Sequence, residues 1–239
     1  MATSGTYLFN PQVAELMDEA FERARIDPAK ITARHILSAR RSMRYMLADW
    51  STQDYHNFRI DLISFNTVQG VPTYTAGTDF DPDENLVEII DMVLRRAGTD
   101  TPVEFMTRSD YLNIPDKDTE GRPDRCFVDK QRDRLQLTFW TTPENDTDEI
   151  IFYAVRKYQD TDTAADNADI PQYMYDAFCY GLAFRLAEKY SPPELEAALF
   201  AKAQNSFRAA QNAVRERGPV RIVAESGFRR RRGSAGRYR

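Results

Sequence analysis

Asp79, Asp81, Asp83 and Asn85 stand at alternating positions, the spacing with which the opening of a calcium loop gathers oxygen ligands around the ion. The pattern fails at the next steps. Glu84 occupies the place of the glycine that such a loop needs for its sharp turn, and Ile90 the place of its bidentate glutamate. A solvated turn is the expectation. His35 and His56 are the only histidines, and neither has a Cys or His partner at a zinc-ligand spacing. Cys126 and Cys179 fall in different elements, which is not a disulfide framework and points to a reducing compartment. The glycines form no phosphate cradle, no dinucleotide fingerprint and no nucleophile elbow. Carboxylates are many, but no spacing selects a pair for acid–base work. The sequence thus offers no catalytic residue, metal site or cofactor site, and a hydrolase with unmarked carboxylates ranks last among its readings.

The remaining chemistry lies in the charge. From Gly218 to Arg239 there are seven arginines against Glu225 alone, a net of +6, which leaves −11 on the rest of a chain whose total is −5. An acidic body with a basic arm suggests an arm that docks on an acidic surface. Val220, Arg221, Ile222 and Val223 include β-branched residues able to add a strand to a partner's sheet. Phe228, Arg229, Arg230, Arg231, Arg232 and Tyr238 complete the candidate docking set. With only two aromatic rings to stack on bases, tight reading of nucleic acid is the lesser alternative.

The elements that must position this arm are helical. In Asp169–Gly218, Asp169 is placed to cap a helix and Pro171 to fit its first turn. Apolar residues then recur at helical spacing, among them Tyr173, Ala177, Gly181, Leu182 and Leu186. Ser191, Pro192 and Pro193 break that helix. A second helix carries Leu199, Ala203, Phe207 and Ala210 on one side, and Gly218-Pro219 stops it. The short connection predicts an antiparallel hairpin, with small residues letting the backbones approach. These nine residues are the candidate packing surface for the bundle and for subunit contact.

At the front, Val13, Leu16, Met17, Ala20, Phe21 and Ala24 mark one helix after Asn10-Pro11. Asp27-Pro28 opens another, with Ile31, Ile36, Ala39, Met43, Leu47 and Trp50 inside and Arg34, Arg40, Arg41 and Arg44 largely outside. Between the pairs the period changes to two. Short strands are expected at 58–63, 73–75, 86–95 (with a helix as the alternative there), 102–106, 126–128, 135–140 and 150–155, with a capped helical turn from Ser109. The expected fold is α+β and mainly α: a four-helix bundle from both chain ends, with an inserted small antiparallel β domain and an extended C-terminal arm. The boundaries are 1–54 and 161–218 for the two helical pairs, 55–160 for the β domain and 219–239 for the arm. The opening residues have no basic region followed by an apolar run, so no signal peptide is expected, and no apolar window is long enough to cross a membrane.

The order of short motifs resembles one family. Val71-Pro-Thr-Tyr74, Ser109-Asp-Tyr111, Gly121-Arg-Pro123, Trp140-Thr-Thr-Pro143 and Ile170-Pro171 lead to Tyr180-Gly-Leu-Ala-Phe-Arg-Leu-Ala-Glu-Lys-Tyr190. From about Gln12 to Arg239 the chain is similar to the head-to-tail adaptor (connector) proteins of tailed bacteriophages, chiefly those of short-tailed phages. The run Arg229–Arg232 departs from what every member would carry. The resemblance implies a structural virion protein at the portal–tail junction, made in the host cytoplasm, with no reaction to catalyse and no cofactor. It implies a ring of about twelve copies beneath the portal protein, packed through its helices. The arm would climb onto the portal, the β unit would face the downstream tail or nozzle protein, and genomic DNA would pass through the lumen without specific binding. An acidic body would repel DNA phosphates. The alternative is a nucleic-acid-binding module acting through the arginine-rich arm.

Overall fold

A computed structural model describes residues 9–53, 57–81, 86–132, 134–161, 163 and 165–214. The chain opens with α1 (Val13–Arg23), a 3₁₀ turn at Pro28–Lys30 and α2 (Ala33–Thr52), and a second 3₁₀ turn (Asn57–Arg59) leads into the strands. These are β1 (Ile60–Asn66), β2 (Thr73–Thr75), β3 (Leu86–Arg96), β4 (Thr99–Pro102) and β5 (Glu104–Met106). After a short α3 (Arg108–Leu112) come β6 (Glu120–Gly121), β7 (Arg125–Lys130), β8 (Leu135–Trp140), β9 (Thr142–Pro143) and β10 (Glu149–Arg156). A 3₁₀ turn at Gln172–Met174 enters α4 (Tyr175–Tyr190), and α5 (Pro193–Val214) follows.

The expectation of a mainly helical four-helix bundle is overturned. Strand takes 29% of the described residues against 42% helix, in ten strands and three sheets. The helices do not form a symmetric bundle: α4 is a hub on which α1, α2 and α5 each pack. Physically, the middle of the chain is one long alternating stretch. Met92 and Leu94, two apart, share the buried face of β3, and a register shift against β10 between Tyr153 and Ala154 brings Ile89, at odd spacing, into the same core.

Two four-stranded sheets, ordered β1-β10-β3-β4 and β2-β8-β7-β5, face each other across a core that includes Ile63, Phe65, Met92, Leu94, Cys126, Leu137, Phe139 and Phe152. Phe65 stacks on Phe80 at 5.0 Å and meets Phe139 and Phe152 at its edges. The β unit is not wholly antiparallel, because β5 runs parallel to β7 and β6 parallel to β9. The expected partner strand at 102–106 divides. Ala97 and Gly98, both at positive φ, turn β3 back onto β4, and β5 leaves for the second sheet. The short helix is capped by Thr107, whose hydroxyl accepts from the Asp110 amide, and not by Ser109.

A second core gathers the helices, with Leu16, Phe21, Met43, Trp50, Met174, Phe178, Leu182 and Leu186 among its buried members. The chain leaves this core through Asn57–Arg59 and returns after Arg156. The two crossings run side by side, since β1 pairs β10 antiparallel from Ile60↔Val155 to Asn66↔Glu149.

Candidate functional site

The hub helix owes its position to small side chains. A Cβ on Gly181 would lie 2.7 Å from Met46 Sδ and 3.4 Å from the Trp50 ring, so the glycine lets α2 close on α4. Ala177, Ala183 and Ala187 are buried along the same helix. Of the nine sequence-predicted packing residues, Ala177, Leu182, Leu186, Leu199 and Ala210 are buried in the chain's own helical core. Tyr173, Gly181, Ala203 and Phe207 are half-buried, Tyr173 and Phe207 packed against that core. Phe184 and Phe200 line a shallow groove of about 280 Å³ between α2, α4 and α5, with Met46, Trp50 and Phe207 at its floor and sides.

Asp169 does not cap the helix. Its carboxylate accepts from Arg156 and from the Gln159 amide at 2.9 Å, and α4 begins from Met174 without a side-chain cap. This pair belongs to the junction between the cores. Arg59 there is fully buried, donating from Nε to the Arg156 carbonyl at 2.9 Å and from its two terminal nitrogens to the Ser51 and Trp50 carbonyls at 3.2 and 3.5 Å. One guanidinium thus serves C-terminal carbonyls of α2 and the last carbonyl of β10; the Trp50 carbonyl also accepts the Gln53 amide at 3.2 Å. Desolvation lowers the Arg59 pKa, opposed by the charge of the Tyr158 phenol and a side-chain hydrogen bond with it. Burial in turn pushes the Tyr158 phenol up to about 12.

The outer faces of the two front helices carry opposite charge. On α1 the buried residues are Val13, Leu16, Met17, Ala20 and Phe21, and the exposed positions Glu15, Asp18, Glu19 and Glu22 are all acidic. Glu19 pairs with Arg23, which also reaches Asp176 on α4. On α2, Arg34, Leu37, Arg41, Arg44 and Tyr45 are exposed. Arg44 pairs with Asp160 at 3.2 Å, and Asp49, the one acidic residue of the helix, with Arg185 at 3.2 Å. Ile36, expected inside, is 42% exposed. Sequence reading placed the α2 arginines outside but passed over the acidic stripe on α1, although its i, i+3, i+4, i+7 spacing is plain. It also read Arg59 as the polar member of an alternating strand, and Phe58 and Ile60 beside it were the only hint of burial.

The other candidates are quiet. The carboxylate of Asp79 accepts from the Thr75 amide at 2.6 Å in its own turn, and Asp83 and Asn85 lie outside the described residues. His35 Nδ1 accepts the Thr32 amide at 3.1 Å, part of the box that starts α2, and His56 lies outside the described residues. Among the described residues no group of three or more His, Cys, Asp or Glu could hold a metal ion. Both cysteines are free and buried, one in each core. Burial raises both thiols, Cys179 to about 11. The whole predicted docking arm, from Val220 to Tyr238, lies outside the described residues. No helix among the described residues is long and apolar enough to cross a membrane.

No curated protein matches the chain. The model of one family, described as SU10 adaptor protein, matches residues 11–231, which takes in both helical ends, the β unit and most of the basic segment. The chain therefore belongs to the SU10 adaptor protein family and is a structural adaptor of a phage virion, as the order of its motifs implied.

Proposed function

We propose that the chain is the subunit of an adaptor ring that joins the portal to the tail, with about twelve copies enclosing part of the DNA channel. The ring has no catalytic role. The basic arm, residues 219–239, grips the portal, and the β unit faces the downstream tail protein. Genomic DNA runs through the lumen without specific contacts, because the acidic body repels its phosphates.

The observation that carries this reading is the chain path. The first and last described helices, α1 and α5, both pack on α4, the chain passes from that helical base to the β unit and back through two paired segments, and the basic segment follows α5 in sequence. A rigid base with a tether at one end and a projecting unit elsewhere is suited to bridging two partners. The test is deletion of residues 219–239, followed by negative-stain imaging of the purified protein mixed with portals. The full chain caps portals with rings, and the shortened chain keeps its melting temperature but leaves portals bare. Normal capping by the shortened chain would remove the arm from the mechanism.

A further inference from the structure

Two single-signed helix faces on one chain raise the question of what neutralises them. Among the described residues, Glu15, Asp18 and Glu22 on α1 have no cationic partner, and Arg34 and Arg41 on α2 have no anionic one. They cannot satisfy each other within the chain. α1 meets the flank of α4 that carries Asp176, Cys179 and Tyr180. α2 meets the flank that carries Gly181, Arg185 and Lys189. At 3.6 residues per turn these flanks are on roughly opposite sides of the hub, so the two charged faces look away from each other.

We propose that the acidic face of α1 in one copy docks on the basic face of α2 in the next, forming the repeating contact of the ring. The inference rests on the ring reading above and names the surfaces that build it. Three observations lead to a second copy as the occupant. First, the spacings match: Glu15 and Glu22 are one heptad apart, as are Arg34 and Arg41, and each pair spans roughly 10 Å along its helix. Second, each face carries one sign, so α1 against α1 or α2 against α2 is repulsive. Only a head-to-tail contact pairs the charges, and such a contact makes rings when its rotation closes. Third, the α2 face has the composition of a contact centre, since Leu37 and Tyr45 are 59% and 63% exposed beside the two arginines. Aromatic side chains and arginine dominate such centres, and an apolar middle gives the contact strength that exposed ion pairs lack.

Charge reversal provides the test, read as rings on portals in negative stain and as sedimentation of the free protein. The variant Arg34→Glu/Arg41→Glu has two acidic faces, and Glu15→Arg/Glu22→Arg has two basic ones. Each alone lowers ring occupancy at least tenfold, and an equal mixture of the two restores it, because alternating copies then present opposite signs at every contact. A chain carrying all four changes also assembles. Thermal unfolding confirms that each variant keeps its fold, as expected for exposed side chains. If either two-site variant forms rings alone as well as the unmodified chain does, or if the mixture stays unassembled, the interface is wrong while the ring reading stands. If the unmodified chain makes no rings on portals, the ring reading falls and this contact with it. If Arg34→Glu/Arg41→Glu instead loses affinity for duplex DNA and still assembles, the α2 face serves nucleic acid and the proposal is overturned.

Discussion

The guanidinium of Arg59 lies 4.5 Å from the centre of the Tyr158 ring, sealed from solvent, where the chain passes between its two cores. Replacing Arg59 by Met keeps most of the volume but strands the carbonyls of Ser51 and Arg156, and leaves the Trp50 carbonyl with the Gln53 amide alone. Each unpaired buried acceptor costs about 1–3 kcal/mol, so a loss of about 2 kcal/mol or more is expected in chemical denaturation. Arg59→Lys recovers only part of it, since one ammonium cannot span α2 and β10 together.

Tyr158 should make the protein sensitive to alkali. Its folded phenol is pushed up to about 12 from the ordinary 10.0, so between these values the unfolded chain releases a proton that the folded chain keeps. Stability is therefore fully present below pH 10 and falls by about 2 kcal/mol as pH rises toward 12. Denaturation midpoints of the protein and of Tyr158→Phe, measured from pH 9 to 12, check this, and the variant should show a shallower decline.

Asp100 and Asp110 should titrate below the ordinary carboxyl value of 3.8. Asp100 is held down by its bidentate pair with Arg95, and Asp110 by the hydroxyl and amide of Thr107. Both favour the fold above that value, and their contribution disappears as pH falls through the lowered one. Carboxyl NMR titration reads the shift directly, and Arg95→Gln should return Asp100 upward while leaving Asp110 in place.

Gly181 gives a graded test of the hub. In Gly181→Ala the new methyl meets the movable end of Met46, and the gain in helix propensity of about 1 kcal/mol offsets the crowding. A near-neutral change in melting temperature is expected. Gly181→Leu must displace both Met46 and Trp50 and costs about 1–3 kcal/mol.

Neither thiol should react with an aromatic disulfide reagent in the native protein. Cys126 and Cys179 are buried with raised pKa values, and the thiolate is the reactive form. Two equivalents should react after denaturation. Fast native labelling would show an opening of one core.

The sequence was most legible where signals are local. The apolar spacing of α1, α4 and α5 and the β-branched run of β3 were each visible in a window of a dozen residues. What failed depended on distant partners. Asp169 has the form of a helix cap, but Arg156, thirteen positions earlier, takes its carboxylate. Gly181 suggested a close approach within the α4–α5 hairpin, yet the side chains it admits are Met46 and Trp50 of α2. Glu104–Met106 follows a hairpin, and nothing in those residues reveals that their partner is β7. The mainly helical reading erred in weight, since two clear helical ends drew more emphasis than ten short strands. Of the contact surface, the arginines of α2 were legible as exposed, but their match to α1 depends on where α4 places each helix.

The paired crossings of β1 and β10 give the β unit a mechanical character. A single connecting segment would act as a swivel, whereas two hydrogen-bonded segments in register from Ile60↔Val155 resist torsion like a flat strap. With Arg59 tying the strap at its root to the end of α2, a twist applied to the sandwich reaches α2 as torque. The β unit is thereby coupled to the helical base through two strands and not one.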